Sequence, residues 1–355
     1  MLTIDGAYGE GGGQIIRTAL TLSTITGQPI RVERIRAGRK KPGLRPQHLT
    51  AIHAAAAICK AHLKGNDLGS QTLTFSPSQV ARPGEYDFDV SDAAQGGSAG
   101  SVGLILQTIL LPLALAQGDS RLTLQGGTHV PWAPSISYLI HVFVPTMKRM
   151  NIFLDINLAQ WGFYPAGGGE IHVKINGRQK PPRSIQLTKR GDLQDVWGTA
   201  AAMNLPAHIP QRMANRARNI LLNTGTQARI EPTRLCGNGP GAGIFLFTEY
   251  KSDSGNAFAG FTAYGKRGIP AEHVAEKACQ ELLAHHQSNS PVDPYLADQV
   301  ILPTIMAQGE SRINTSQISK HLLTNIWTIQ QFVSTDIKLV GTLGEIGTMT
   351  VKGIG

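Results

Sequence analysis

Cysteine is scarce and unpaired in this 355-residue chain, where Cys59, Cys236 and Cys279 make an odd number with no C-x-x-C among them. That rules out a disulfide framework and offers no structural zinc site, so a reducing, cytoplasmic interior is the expected compartment. Long apolar runs are missing as well. The most apolar stretch, Val102 to Ala116, is interrupted by Gln107, Thr108 and Pro112 and is too short to span a bilayer, so it reads as a buried helix. Met1 to Gly9 carries Asp5 and no apolar segment, so neither a signal peptide nor a membrane partner is expected. A G-x-x-x-x-G-K-[ST] phosphate loop is absent, which removes the commonest nucleotide-binding device. Acids are in deficit, 24 against 33 basic residues, for a net charge of +9.

What is present is a globular composition, 41% hydrophobic, with its positive excess bunched. Arg31, Arg34, Arg36, Arg39, Lys40, Lys41 and Arg45 face a single acid, Glu33, between positions 31 and 45. A charge run of this kind is often only a solvated face. Here the glycines and prolines around it favour contact with a polyanion, whose phosphates release counterions when Lys and Arg replace them.

The chain also repeats itself. Leu111-Pro112 through Gln117-Gly118-Asp119-Ser120-Arg121-Leu122 reappears as Leu302-Pro303 through Gln308-Gly309-Glu310-Ser311-Arg312-Ile313, an apolar helix ended by glycine and followed by a strand. A fainter copy runs from Arg17 to Gly27 and into a strand over Pro29 to Arg34. Each copy continues through a polar loop into a second helix: positions 46 to 63 closing at Gly65, Ser135 to Met150, and Leu322 to Val333. The pattern predicts an α/β main domain of three repeated units, each a small sheet backed by two helices, over residues 1–183 and 288–355. If the units share an axis, their strand-to-helix loops converge, bringing Arg36, Arg39 and Gln47 towards Thr128, Pro131 and His321. Residues 184–287 break the rhythm after the basic, Pro-rich linker Gly177 to Arg183. Their order, strand, helix, three strands and helix, reads as an inserted smaller α/β domain.

Several motifs carry chemistry. Gly9-Glu10-Gly11-Gly12-Gly13-Gln14 leads into a helix bearing Arg17, and its glycines would let backbone approach a phosphate; tight turns use glycine too. Gly96-Gly97-Ser98-Ala99-Gly100 enters the helix of Gln107 and reads equally as a flexible turn or a ligand loop. Trp161 to Glu170 is a wide hairpin loop or a cleft wall. Tyr295-Leu296-Ala297-Asp298-Gln299 starts a helix, as a cap or as a face for adenine. His321 stands where a polar run gives way to an amphipathic helix, so its side chain projects from a helix N-terminus that favours anions. A lone histidine there is ordinarily part of a helix cap, whereas among bound phosphates it is a candidate nucleophile.

Taken in order, Gly9 to Gln14, Ile35-Arg36-Ala37-Gly38-Arg39 with Pro42-Gly43-Leu44, Gln47-His48-Leu49, Gly162-Phe163-Tyr164-Pro165-Ala166-Gly167-Gly168-Gly169, Tyr295 to Gln299 and His321-Leu322-Leu323-Thr324-Asn325 closely resemble the RNA 3′-terminal phosphate cyclases, from Ile4 to the end. The resemblance implies a main domain similar to the C-terminal domain of a bacterial translation initiation factor and an insertion of thioredoxin-like topology. It implies that His321 is adenylylated by ATP, that the AMP passes to an RNA 3′-phosphate, and that the 2′-hydroxyl then closes a 2′,3′-cyclic end, so that AMP and pyrophosphate are released. Arg17, Arg36, Arg39 and Gln47 would bind phosphate or RNA, and Gln107, Pro131, Tyr295, Asp298 and Gln299 the adenosine side. Glu10 would hold Mg²⁺ or Mn²⁺. The expected partner is RNA ending in a 3′-phosphate, with a homodimer left open. Trp161 departs from the family signature, which usually begins with Arg or His. Two other classes remain: a non-catalytic relative that binds RNA during ribosome assembly, which would be expected to lack His321, and an enolpyruvyl transferase, whose repeated units also bind phosphates through basic loops but which forms no covalent AMP.

Overall fold

The computed structural model describes residues 1–93, 99–252 and 255–355. Among them the strands form four four-stranded sheets. The first is built from β1 (Leu2–Asp5), α1 (Gly13–Thr26), β2 (Ile30–Glu33), α2 (Pro46–Cys59), β3 (His62–Lys64) and β4 (Leu73–Ser76), in the order β1-β2-β4-β3. β1 and β2 run parallel across α1, and the other pairs are antiparallel. The second comprises β5 (Glu85–Asp89), α3 (Val102–Leu115), β6 (Ser120–Gly126), a helix in three pieces, then β7 (Leu154–Gln160) and β8 (Gly169–Ile175), ordered β5-β6-β8-β7 with only β5 and β6 parallel. The three pieces are α4 (Ile136–Tyr138), a π turn over Leu139–Phe143, and α5 (Val144–Arg149).

After β9 (Gln186–Leu187) the chain leaves to form β10 (Asp192–Met203), α6 (His208–Asn223), β11 (Arg229–Leu235), β12 (Gly241–Lys251), β13 (Ala257–Tyr264) and α7 (Ala271–Ser288), with the sheet order β11-β10-β12-β13. It then returns through α8 (Leu296–Ile305), β14 (Glu310–Thr315), α9 (Lys320–Gln330), β15 (Ile337–Val340) and β16 (Gly347–Lys352). The last sheet runs β15-β16-β14-β9, so β9 pairs in parallel with a strand from the far side of the excursion. Two large cores result. One spans the first, second and last sheets with α1, α2, α3, α8 and α9. The other fills the excursion alone, with Val196, Met213, Leu221, Leu246, Phe261 and Leu282.

The expected helix over 46–63 is shorter. Lys60 adopts a left-handed conformation and its N–H bonds the Ala56 carbonyl, which closes α2 at Cys59, and residues 62–64 become strand. The apolar pattern continues because β3 packs the partly buried Leu63 against the core. The expected helix over Ser135 to Met150 is continuous in position but contains the π turn. Of the second glycine loop, residues 96–98 lie outside the described residues.

The excursion is tied to the rest by a buried carboxylate. Asp293 accepts the Tyr138 hydroxyl at 2.9 and 3.0 Å and the Gly260 N–H at 3.1 Å, and it caps α8 by accepting the N–H groups of Tyr295 and Leu296 at 2.8 and 2.9 Å. Burial pushes its carboxyl up to about 6. Because a hydrogen bond to a charged group contributes about 1.5–3 kcal/mol, Tyr138→Phe should lose roughly that much stability in denaturant unfolding. An unchanged midpoint would remove Asp293 as the joint.

Candidate functional site

The site is built where two helices begin side by side. Ser319 caps α9, its hydroxyl accepting the Leu322 N–H at 3.0 Å, which sets His321 in the first turn. α1 begins straight after the glycine run and carries Gln14 in its own first turn. Gln14 Oε1 lies in hydrogen-bonding contact with His321 Nδ1, and Gln14 Nε2 donates to the His321 carbonyl at 3.2 Å. One turn further along both helices, Thr18 donates to Asn325 Oδ1 at 2.7 Å, and Asn325 Nδ2 donates to the Asp298 carbonyl at 2.8 Å. The helices are therefore locked in register and point their N-terminal N–H groups to the same place.

Glycine makes this proximity possible. A Cβ on Gly9, at φ +57, would stand 2.7 Å from the Thr324 hydroxyl, and one on Gly13 would stand 2.2 Å from His48 Nε2. A proline helps from the other side. Pro112 has no N–H for the Thr108 carbonyl one turn earlier, and that carbonyl instead accepts the Thr21 hydroxyl of α1 at 2.8 Å. The lost bond within α3 becomes a bond between helices.

His321 keeps 52% of its side chain exposed, and Glu10 Oε2 lies 3.2 Å from Nδ1. Burial holds its pKa below the ordinary histidine value, Glu10 opposes this, and Arg17 and Arg39 add to the lowering. A neutral imidazole whose Nδ1 faces two oxygen acceptors carries its proton there, which leaves the lone pair on Nε2. Behind it lies a cavity of about 70 Å³ lined by Gln14, Arg17, Gln107, Asp298, Gln299 and Asn325, among others. Gln107 donates to Gln299 at 2.7 Å across it. Burial lowers Arg17 to about 10 against the pull of Asp298, and burial raises Asp298 to about 7 against that of Arg17.

Arg39 approaches Glu10 at 3.9 Å with nearly half its side chain exposed. Arg36, at φ 53, donates to the Lys41 and Gly43 carbonyls, both at 2.8 Å, and so braces the basic loop. Gln47 accepts the Ser101 N–H at 3.2 Å at the start of α3. Tyr295 and Pro131 do not line the cavity. Tyr295 donates to Glu281 at 2.7 Å and meets Tyr138 edge-on, and it occupies the N-cap position of α8 while Asp293 supplies the capping side chain. Thr128 does not reach the centre: it is buried and accepts the Gly162 N–H at 2.8 Å. Trp161 stacks on His129 with centroids 3.8 Å apart. Gln14, Asn325 and His48 were in the motifs but had no assigned role. Burial, with Arg17, Arg36 and Arg45 close by, takes His48 down to about 3, and its Nδ1 accepts the Arg45 N–H at 3.0 Å. Nothing in a linear sequence marks such partners.

Among the described residues no group of three or more His, Cys, Asp or Glu could cage a metal ion. Glu10 stands beside Nδ1 of His321, and a single carboxylate there suits only a cation carried in by phosphates. No helix among them is long and apolar enough to cross a membrane.

The family model for RNA 3′-terminal phosphate cyclase matches residues 8–339. The chain is 50% identical over 339 residues to an RNA 3′-terminal phosphate cyclase of Nostoc punctiforme, covering 96% of each chain. It is 48% identical to one of Methylococcus capsulatus, over 99% of this chain and 96% of that one, and 39% identical to one of Pyrobaculum aerophilum, over 99% and 98%. The solved enolpyruvyl transferase NikO from Streptomyces tendae aligns with 99% of this chain and 48% of its own, at 10% identity and a TM-score of 0.38, too distant to bear on fold or chemistry.

The close approach of the two helix starts is testable through Gly9. Gly9→Ala meets both a left-handed backbone and the Thr324 hydroxyl, so it should cost about 2 kcal/mol, and Thr324→Ala in the same chain should restore part of that. Equal thermal midpoints for wild type and Gly9→Ala would contradict the contact.

Proposed function

The chain belongs to the RNA 3′-terminal phosphate cyclase family, and on that premise we propose that it converts an RNA 3′-phosphate to a 2′,3′-cyclic phosphate with ATP, through AMP bound to His321. The observation that carries this is the Nδ1 of His321 held by Gln14 and Glu10, which leaves Nε2 to attack. A phosphate monoester cannot be closed by its neighbouring hydroxyl with oxide as the leaving group. Attack of Nε2 on the α-phosphorus of ATP forms a P–N bond and breaks the α–β anhydride, expelling pyrophosphate. An oxygen of the RNA 3′-phosphate then attacks the same phosphorus and breaks the P–N bond. Finally the 2′-hydroxyl attacks the activated 3′-phosphorus and AMP leaves.

Each step brings anion against anion, so cations must gather at the centre. We assign Arg17 and Arg39 to the reacting phosphates, since a guanidinium offers a bidentate fork. Arg36 and Gln47 hold the walls: the first through the basic loop, the second through the start of α3. Gln107, Asp298 and Gln299 form the inner face towards adenosine, with Tyr295 and Pro131 at its rim. Glu10 would hold a phosphate-borne Mg²⁺ or Mn²⁺, which supplies charge neutralisation when bound.

The fold suits this assignment. We read the β1-β2-β4-β3, β5-β6-β8-β7 and β9-β14-β16-β15 orders as three copies of one unit, and the excursion with its own core as an inserted domain of thioredoxin-like topology. The units then supply α1, α3 and α8 with α9 to one centre.

With α-labelled ATP the protein should form an AMP adduct that resists alkali and yields to acid, and His321→Ala should abolish it; label retained in the variant would exclude His321. An RNA whose terminal 2′-hydroxyl is replaced by hydrogen should accumulate the RNA–adenylate, and a cyclic end from it would refute the sequence of steps. Arg39→Ala should lower turnover roughly tenfold or more, whereas Lys40→Ala and Lys41→Ala should mainly reduce salt sensitivity. Equal, modest losses in all three would remove Arg39 from the site.

A further inference from the structure

Trp132 is an unusual place for an indole. It is 90% exposed, more than any other large hydrophobic side chain among the described residues, and its backbone sits at φ 65. Bulky L-residues rarely occupy that region, and an indole in water adds nothing to a core. The fold thus bears two costs that burial of the ring does not offset, and an outlier of this kind points to contact with something outside the chain.

Trp132 does not stand alone. Tyr164, 56% exposed, meets it edge to face with ring centroids 6.3 Å apart and planes at 81°. The loops that carry them are pinned together from beneath. Thr128 and His129 both donate their N–H groups to the Gly162 carbonyl at 3.0 Å, the Gly162 N–H returns to the Thr128 hydroxyl at 2.8 Å, and Trp161 stacks on His129. Gly167 closes the second loop on the Phe163 carbonyl at 2.8 Å. Two open aromatic rings are therefore mounted on a rigid base. That base is continuous with the basic loop: Gly127 bridges Ser101, and Ser101 is bonded to Gln47, two residues beyond Arg45.

We propose that Trp132 and Tyr164 form a stacking platform for an unpaired nucleobase of the RNA strand, upstream of the 3′-phosphate held by the arginines. The proposal rests on the reading of RNA as substrate. Every base has a π face, so stacking on such rings grips a strand without reading its sequence, while neighbouring Lys and Arg hold its backbone. The glycine signature loop, left without a role by the chemistry above, thereby gains one through Tyr164.

The test compares wild type, Trp132→Ala, Trp132→Phe and Tyr164→Ala on 3′-phosphorylated oligoribonucleotides, intact and with single abasic sites. Trp132→Ala should raise the KM for RNA about tenfold with little change in kcat, and Trp132→Phe should retain most of the affinity. In wild type, removing one particular upstream base should raise KM similarly, and Trp132→Ala should be blind to that removal. RNA-free formation of the AMP adduct should keep its wild-type dependence on ATP. A flat abasic scan in wild type, or a changed ATP dependence of the adduct, would overturn the proposal. So would a variant whose sole defect, by sedimentation, is lost self-association. Fluorescence anisotropy of labelled RNA reads the same differences in binding, so a failure of cyclisation would be told apart from a failure of the platform.

Discussion

The Nδ1 of His321 has a carboxamide oxygen and a carboxylate oxygen as neighbours, and that placement governs what the ring can do. Both neighbours accept hydrogen bonds, so the neutral ring keeps its proton at Nδ1 and turns its lone pair outwards at Nε2. The ring is also kept neutral. Burial and two nearby guanidinium groups disfavour the imidazolium, and Glu10 only partly offsets them. A helix N-terminus adds to the same bias and leaves free N–H groups for phosphate oxygens.

Holding that geometry calls on much of the molecule. Gln14 can reach His321 because α1 and α9 start together, fixed by the Thr18–Asn325 bond and by glycines that admit Thr324 and His48. α3 joins them through the carbonyl that Pro112 leaves free. The partly buried Asp298 lines the cavity with Arg17, and Asn325 ties its backbone to α9. A side chain far along the sequence thus depends on the first turn of the first helix.

Much of this was legible beforehand, and the reasons differ by element. The strand and helix sequence of residues 192–288 followed from alternation and helical spacing, and the observed elements fall where expected. The helix-to-strand passages α3 to β6 and α8 to β14 were visible because Leu111 to Leu122 and Leu302 to Ile313 carry the same helix stop and strand start. α2 ends before its expected limit, which an apolar spacing sets too late because it does not distinguish a helix from a short strand that follows it and packs one side chain on the core. His321 was conspicuous as a histidine at a helix start. Gln14 was not: an amide's role depends on which ring it touches, and that contact spans 307 positions. The bonds of Tyr295 to Glu281 and of Thr128 to Gly162 were not legible either, because such partners are set by packing alone.

The chemistry of His321 is decided by which of its ring nitrogens is free. Purified protein labelled with ¹⁵N-histidine and charged with AMP can be examined by ³¹P and ¹⁵N correlation, after proteolysis and mass spectrometry have located the modified peptide. The geometry predicts phosphorus bonded to Nε2 of His321, with the proton retained on Nδ1. AMP on Nδ1, or on any other side chain, would contradict it.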